Sequence, residues 1–552
     1  MPLCTAPKKQ WFPFVLKDGG GGAFIAWPDQ RDSASNGFDV YAQRLDASGV
    51  PQWTQNGMPV CTFPGDQANP HMASDGAGGV IIAWQDLRSW TNFDIYAQRL
   101  GPSGVPLWTA GGVRLRKAQK DQWLSHSDQP SIVADGRGGA IATWEEWVTG
   151  FNTDIRAQRV DSSGVVQWTQ YGIAVSTASS FQSYPTLVGD EAGGAIITWE
   201  DWRLWPVAHT YAQRVNGAGQ GQWAVGGILV SDSTNDQRAP TLVSDERGGA
   251  IIAYTQWNGS DGDVFAQRVN AAGQLQWPAN GVGVCTLSCN QIDPVIASDG
   301  AGGAILVWDD DRVNCSGCCT DLYAQRLDAG GMATWVPQGV AVCTSWRVQS
   351  QPAVVGDGSG GAIVAWTDQR ALTEPSDIYA QHLNALGIPQ WALDGVNVTN
   401  ASSGQGETSI ASDEAGGAII AWDDGRNSPC DEEDCLSNPD IFATRLGGGG
   451  PLSVPSQPPR RLPSLTLRPN PMRSVATVAF EMPTTEPVTV EIYDLAGHRV
   501  RTLARSHEYP AGTQTLVWNG RSDAGLLVAS GVYLLRLSTA GYSQSRRIVL
   551  LR

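Results

Sequence analysis

An aromatic residue closing a short apolar run returns eight times along the chain, at Trp27, Trp84, Trp144, Trp199, Tyr254, Trp308, Trp366 and Trp422. The spacings are 57, 60, 55, 55, 54, 58 and 56 residues. A period this long and this regular admits few folds, all of them stacked or radial repeats. The clearest copy is Ser74-Asp-Gly-Ala-Gly-Gly-Val-Ile-Ile-Ala-Trp-Gln-Asp-Leu-Arg88. It is a tight Asp-Gly-x-Gly-Gly turn feeding an apolar run that ends in an aromatic, an acid and a base. Residues present in every copy are explained first by architecture. Chemistry therefore has to be sought where the copies differ.

Each copy reads as four short strands, in the second repeat residues 70–74, 80–84, 94–100 and 112–115. The second strand is apolar on both faces, as a strand sandwiched between neighbouring sheets must be. The third alternates, as a half-buried strand does. Four antiparallel strands repeated about an axis make a β-propeller, and no helical period competes in the first 446 residues. First, second and third strands occur eight times, but only seven fourth strands follow them. Met1-Pro-Leu-Cys-Thr5 nearly copies Met58-Pro-Val-Cys-Thr62, a fourth strand. The expected fold is thus all-β: an eight-bladed propeller over 1–447, its last blade completed by the N-terminus so that no sheet edge stays open. The Asp-Gly-x-Gly-Gly turns fall on one face of such a ring. The loops from second to third strand, and from blade to blade, fall on the other. These vary, 89–93 being brief and 313–320 and 427–439 long, so the loop face is where function is expected.

Residues 448–465 are rich in Pro, Ser and Arg and read as a stiff linker. Beyond them, 466–552 carries five to seven strand patterns with Asp-Leu-Ala-Gly and Ser-Asp-Ala-Gly turns, a small β-sandwich. Charge divides the same way. From Pro451 onward there are 12 Arg against 6 acids, leaving 25 Lys plus Arg against 48 acids before it, a net of −23 within a whole-chain −17. So acidic a body repels nucleic acid and anionic lipid. No apolar run approaches the length of a membrane helix. Met1 stands inside a repeat and no leader precedes it, so the natural start is expected upstream.

The acid and base after each aromatic are the most tempting polar groups: Asp86 and Arg88, Asp201 and Arg203, Asp310 and Arg312. With a third-strand acid across the hairpin, an Arg between two carboxylates reads as a structural clamp. The alternative is an upward-facing ring that binds sugars or carboxylates. Glu146 with Trp147, and Gln256 with Trp257, depart from the pattern and would mark its unusual side. Clustered cysteines (Cys315, Cys318, Cys319; Cys430, Cys435) point to local disulfides in an oxidising compartment. Zinc is the rival at Cys315 and Cys318, without a second ligand pair of matching spacing. Asp431, Glu432, Glu433 and Asp434 offer the oxygen ligands Ca²⁺ takes, although contiguous acids favour a solvated loop. No other cofactor is implied. No metalloprotease, P-loop, nucleophile-elbow or dinucleotide motif is present.

Two resemblances follow from particular residues. Leu467-Arg-Pro-Asn-Pro471, Val490-Glu-Ile-Tyr-Asp-Leu-Ala-Gly497, Val517-Trp-Asn-Gly520, Ser530-Gly-Val-Tyr533 and the basic end Arg546-Arg-Ile-Val-Leu-Leu-Arg552 resemble the Ig-like C-terminal domain shared by flagellar hook-capping proteins and type IX secretion sorting domains. That resemblance implies a Gram-negative-type bacterial protein sent to the cell surface or beyond, its tail recognised by secretion machinery. Asp46-Ala-Ser-Gly-Val-Pro-Gln-Trp53 resembles the tryptophan-docking motif of quinoprotein dehydrogenases, but no matching set of quinone and calcium ligands accompanies it. The expectation is a secreted or surface-displayed, non-enzymatic binding or adhesion protein for a glycan or protein. A polysaccharide hydrolase using loop-face carboxylates is the alternative, and a quinoprotein-like oxidoreductase the third.

Overall fold

In the computed structural model the eight apolar runs are the second strands of eight separate antiparallel sheets. The structure describes residues 1–32, 37–116, 122–123, 131–149, 152–312, 320–370, 376–399, 401, 403–427, 438–448, 450–451, 465–482, 485–494, 499–510, 512–539 and 542–551. The chain divides into two compact units, Met1–Leu452 and Ser453–Arg552.

The first unit is the propeller. Blade one orders Phe14–Lys17, Ala23–Asp29, Asp39–Leu45 and Met58–Cys61 from the axis outward. Each inner strand touches the inner strands of both neighbouring blades, and the cycle closes between Gln405–Ser412 and Phe14–Lys17. The last blade is completed by Pro2–Cys4 pairing antiparallel with Asp440–Gly447. Past Leu446 the chain folds back, Pro451 pairing with Leu446.

The repeated residues explain themselves by burial. Val80, Ile81, Ile82, Ala83 and Trp84 are all fully buried between sheets. Gly112 lies where a Cβ would stand 2.5 Å from the Trp84 ring, so the aromatic demands a glycine at the start of the fourth strand. Gln98, also buried, donates to the Thr109 carbonyl and accepts from the backbone of Arg99 and Trp108. That leaves no unpaired atom on it, as burial of an amide requires. Trp53 is the docking tryptophan. Its indole donates to the Pro102 carbonyl of the next blade (3.0 Å). Its ring lies against Gly104, where a Cβ would come within 2.9 Å.

The second unit packs a three-stranded sheet (Leu465–Arg468, Ala476–Met482, Gly512–Trp518) on a four-stranded one (Glu486–Tyr493, Arg499–Tyr509, Gly531–Thr539, Tyr542–Leu550). Phe480, Val490, Ile492, Trp518, Leu535 and Ile548 form its core. No helix among the described residues is long and apolar enough to cross a membrane.

Leu3 and Cys4 are buried, and Ala443 exchanges both backbone bonds with Met1. Two buried side chains and a short ladder contribute about 3 kcal/mol. Deleting residues 1–6 should lower the melting temperature by about 3 °C and promote association through the bared edge, seen in calorimetry and light scattering. Deleting 454–459 should do neither.

Candidate functional site

The acid–base pairs after each aromatic are rivets between blades. Asp86 is fully buried. Its Oδ2 accepts from the Trp84 indole (2.8 Å) and its Oδ1 from the Arg88 backbone N–H and Nε (2.9 and 2.8 Å). Arg88 then donates to the Gly111 carbonyl of its own blade and to Cys61 Sγ on the fourth strand of the blade before it. Asp201 with Arg203, and Asp310 with Arg312, repeat this, using Ser176 Oγ and Cys285 Sγ. These carboxylates are closed off on every side, so they do not form an outward ring for ligands. Nor does a third-strand acid complete the clamp. The Arg88 guanidinium instead lies over the Tyr96 ring, 3.7 Å from its centre, and Asp94 is 3.9 Å from Arg114.

The departures from the pattern are also structural. In blade three, Glu146 is buried and pairs with Arg116 from the preceding blade and Arg156 from the third strand, which replace the missing arginine. Trp147 packs edge-on against Phe181. In blade five, Tyr254 stands in for tryptophan, and Trp257 is half-buried. Cys4, Cys61, Cys285 and Cys343 are buried free thiols within the rivets; burial pushes Cys61 up to about 12. Cys289 is disulfide-bonded. Cys315, Cys318, Cys319, Cys430, Asp431, Glu432, Glu433, Asp434 and Cys435 lie outside the described residues. Among the described residues, no group of three or more His, Cys, Asp or Glu is placed to hold a metal ion.

The repeats differ at two positions, and the fold brings both to the axis. One lies on the second strand between the aromatic and the clamp acid: Gln85, Glu145, Glu200, Thr255, Asp309, Thr367 and Asp423. The other is two residues after the glutamine that opens each inner strand. Here Phe12, Asn69, Tyr184, Ala239, Asp293, Gln351 and Glu407 all have left-handed backbone, φ between 46° and 54°. At this point the ladder breaks register, as between Ser183 and Thr186 or Ile292 and Val295. Residues of the first set cap the second across the blade boundary. Glu145 accepts from the Tyr184 N–H (2.5 Å), Glu200 from Ala239 (2.7 Å) and Thr255 from Asp293 (3.1 Å). Non-glycine residues held in this region store strain, which clusters at functional sites.

Two of the first set, Glu200 and Asp309, and five of the second, Tyr184, Ala239, Asp293, Gln351 and Glu407, line a cavity of about 600 Å³ at the loop-face mouth of the channel. Tyr184, Glu200, Arg238, Asp293, Asp309 and Glu407 are among its walls. A smaller, apolar cavity beside Phe14, Val15, Met72, Val295 and Ile410 lies further along the inner strands. Desolvation raises Glu145 and Glu200 to about 7, against the pull of the backbone N–H each accepts. It also raises Asp293 and Glu407. Asp309 is pushed well up by burial and then by Asp293, Asp311 and Asp310; Asp423 by burial and then by Glu407. Glu200, Asp293, Asp309 and Glu407 share one cleft, and carboxyls raised together in a cleft are what functional sites are made of. The cavity lies at the centre of the expected face, and most of each long loop lies outside the described residues.

A propeller of eight four-stranded blades with an Ig-like sandwich after it, and an acidic cavity on its axis, is the class these observations define. The family model for the FlgD Ig-like domain matches residues 472–542. Against the curated proteins the chain has no match. Among solved structures, a protein from Dyadobacter fermentans DSM 18053 is 10% identical, covering 68% of this chain and 95% of its own, with a TM-score of 0.38. The endo-arabinase of Bacteroides thetaiotaomicron is 14% identical over 49% of this chain and 93% of its own, TM-score 0.29. PorZ, a surface component of the type IX secretion system of Porphyromonas gingivalis, is 12% identical over 100% of this chain and 82% of its own, TM-score 0.27.

Asp86→Ala should cost about 3 kcal/mol in urea unfolding, since it takes the carboxylate from the partly buried Arg88 and leaves the buried Trp84 indole without its acceptor. The raised glutamates set a pH dependence of opposite sense to a salt bridge. The folded state holds their protons to about pH 7 and the unfolded chain only to about 4.5. Their contribution is complete below pH 4.5 and is lost as pH rises to 7. The fall in melting temperature over that window should flatten in the Glu145→Gln/Glu200→Gln variant.

Proposed function

We propose that this is an extracellular or surface binding protein whose propeller holds a hydroxyl-rich glycan in the loop-face cavity, while the Ig-like domain directs export. The carrying observation is a set of cavity carboxyls from different blades, Glu200, Asp293, Asp309 and Glu407, all pushed towards the protonated form by burial. A carboxyl that is protonated part of the time both donates and accepts, as a sugar hydroxyl does. Next to the cavity, Arg238 lies over the Trp202 ring, and Trp202 packs on Trp205, which is 69% exposed. Tyr184, 47% exposed, stands at the rim. Exposed rings beside convergent polar groups suit a ligand with apolar faces and a hydroxyl edge. The strongly acidic body disfavours anionic polymers. The Ig-like match and the likeness to a surface secretion component support export by the type IX route.

A hydrolase is the second reading, favoured by Glu200, held near 7, in one cavity with Asp293 and Asp309. General acid–base cleavage of a glycosidic bond needs such a set. Glycan-array binding and reducing-sugar release on the bound polymers separate the two. Binding without turnover, weakened at least tenfold by Tyr184→Ala, is the expected result. Turnover abolished by Glu200→Gln would establish the hydrolase, and a blank array with no turnover would overturn both.

A further inference from the structure

The side of the cavity built by blades five to eight narrows the ligand further. Asp293 and Asp309 come from blade six and Glu407 from blade eight, and all three line that wall. The ion pairs of the described residues serve the clamps and turns, as Arg312 with Asp310 and Arg326 with Asp299, and none reaches these three acids. Arg238, the base on the same cavity, is held by Asp236 through Nη2 (2.7 Å) and Nε (2.9 Å).

Two buried oxygens also stand idle there. Glu145 and Glu200 each spend an oxygen on a backbone N–H of the next blade, whereas Asp309 Oδ1, shut off from solvent, has no hydrogen-bond partner. Thr241 lines the cavity, is only 3% exposed, and its Oγ1 is equally unpartnered. A buried acceptor without a donor is costly, and a native structure keeps one for a reason.

We propose that this wall is a subsite for a primary ammonium group carried on a sugar ring, as in an unacetylated 2-amino-2-deoxyhexose. An ammonium has three donors and no acceptor. Asp309 Oδ1, the Thr241 hydroxyl and a carboxylate oxygen of Asp293 or Glu407 supply acceptors without a competing cation. An N-acetylated or neutral sugar brings no such charge. The inference rests on the glycan reading. Burial and the nearby charges of Asp293, Asp311 and Asp310 favour the protonated form of Asp309, so the empty site holds protons, and seating an ammonium drives one off.

The test is calorimetric titration of the full chain with three tetrasaccharides of equal length: β-1,4-glucosamine, its N-acetylated form, and a glucose oligomer. The amino form should bind at least tenfold tighter than the other two. Its heats in two buffers of different ionisation enthalpy should show proton release. Asp309→Asn, whose melting curve verifies folding, should bring the amino form within about twofold of the glucose oligomer; Thr241→Val should weaken it in the same direction. Neutral or acetylated oligomers bound as tightly as the amino form would overturn this inference and leave the glycan reading intact. An amino-form preference unchanged in both variants would assign it to the acidic surface and overturn the site. No binding of any oligomer, with a blank glycan array, would overturn the glycan reading itself.

Discussion

The propeller depends on one contact, repeated with variations: a buried carboxylate that holds an indole, an arginine and, through the arginine, the neighbouring blade. Asp86, Asp201, Asp310 and their equivalents accept from both groups, and the arginine reaches the fourth strand of the blade before. A buried ion pair is a poor source of net stability, but its loss is severe, because one partner's removal strands the other. Its value here is registry. It sets the spacing of second strand to preceding fourth strand in six blades, and a rearranged pair does so in the third. On the opposite face the docking tryptophans donate to turns of the following blade. Each blade is thus tied to its neighbours at both ends, and the ring closes when Cys4, on the N-terminal strand, meets Arg31 of blade one.

This rigid outer ring is what permits an unfavourable centre. Seven described residues with positive φ, and a girdle of carboxyls raised by burial and by one another, sit at the channel mouth. None of that follows from stacking apolar runs. Strain and like charge persist only where surrounding structure over-determines them. The resulting cavity spans blades four to eight and not the whole ring. Eightfold architecture therefore produces a one-sided site, through side chains rather than through backbone.

Much of the fold is legible along the chain. The 54-to-60-residue period, the two-faced apolar run and the copy of Met58–Thr62 at Met1–Thr5 lead to eight blades and their closure. The sandwich is legible through its turns and ordered motifs, although the strand Arg499–Tyr509 is too irregular in polarity to be read as one. The site is far less so. Asp86, Glu146, Trp147, Asp201, Trp257 and Asp310 attract attention because they sit beside a conspicuous aromatic, yet burial makes the four acids structural, and the two tryptophans, half-buried, are not among the cavity's walls. Gln85, Glu145, Glu200, Asp309 and Asp423, one residue away from the same acids, carry the signal. They vary between polar, acidic and hydroxyl side chains while both flanks stay constant. On a strand that single step of sequence turns a side chain to the opposite sheet face, here from the rivet with the blade before to the boundary with the blade after.

By itself the sequence determined the repeat number, the strand directions, the buried aromatic–acid–base unit and the separate basic tail, because periodicity and local polarity are properties of neighbouring residues. Only the tertiary structure decided which variable residues meet. Tyr184, Ala239, Asp293, Gln351 and Glu407 are some fifty residues apart in the chain and adjacent around the axis. The shifted ionisation of Glu200 and Asp309 is likewise decided there. It depends on lost solvent and on charges brought from other blades, and neither exists until the ring is closed.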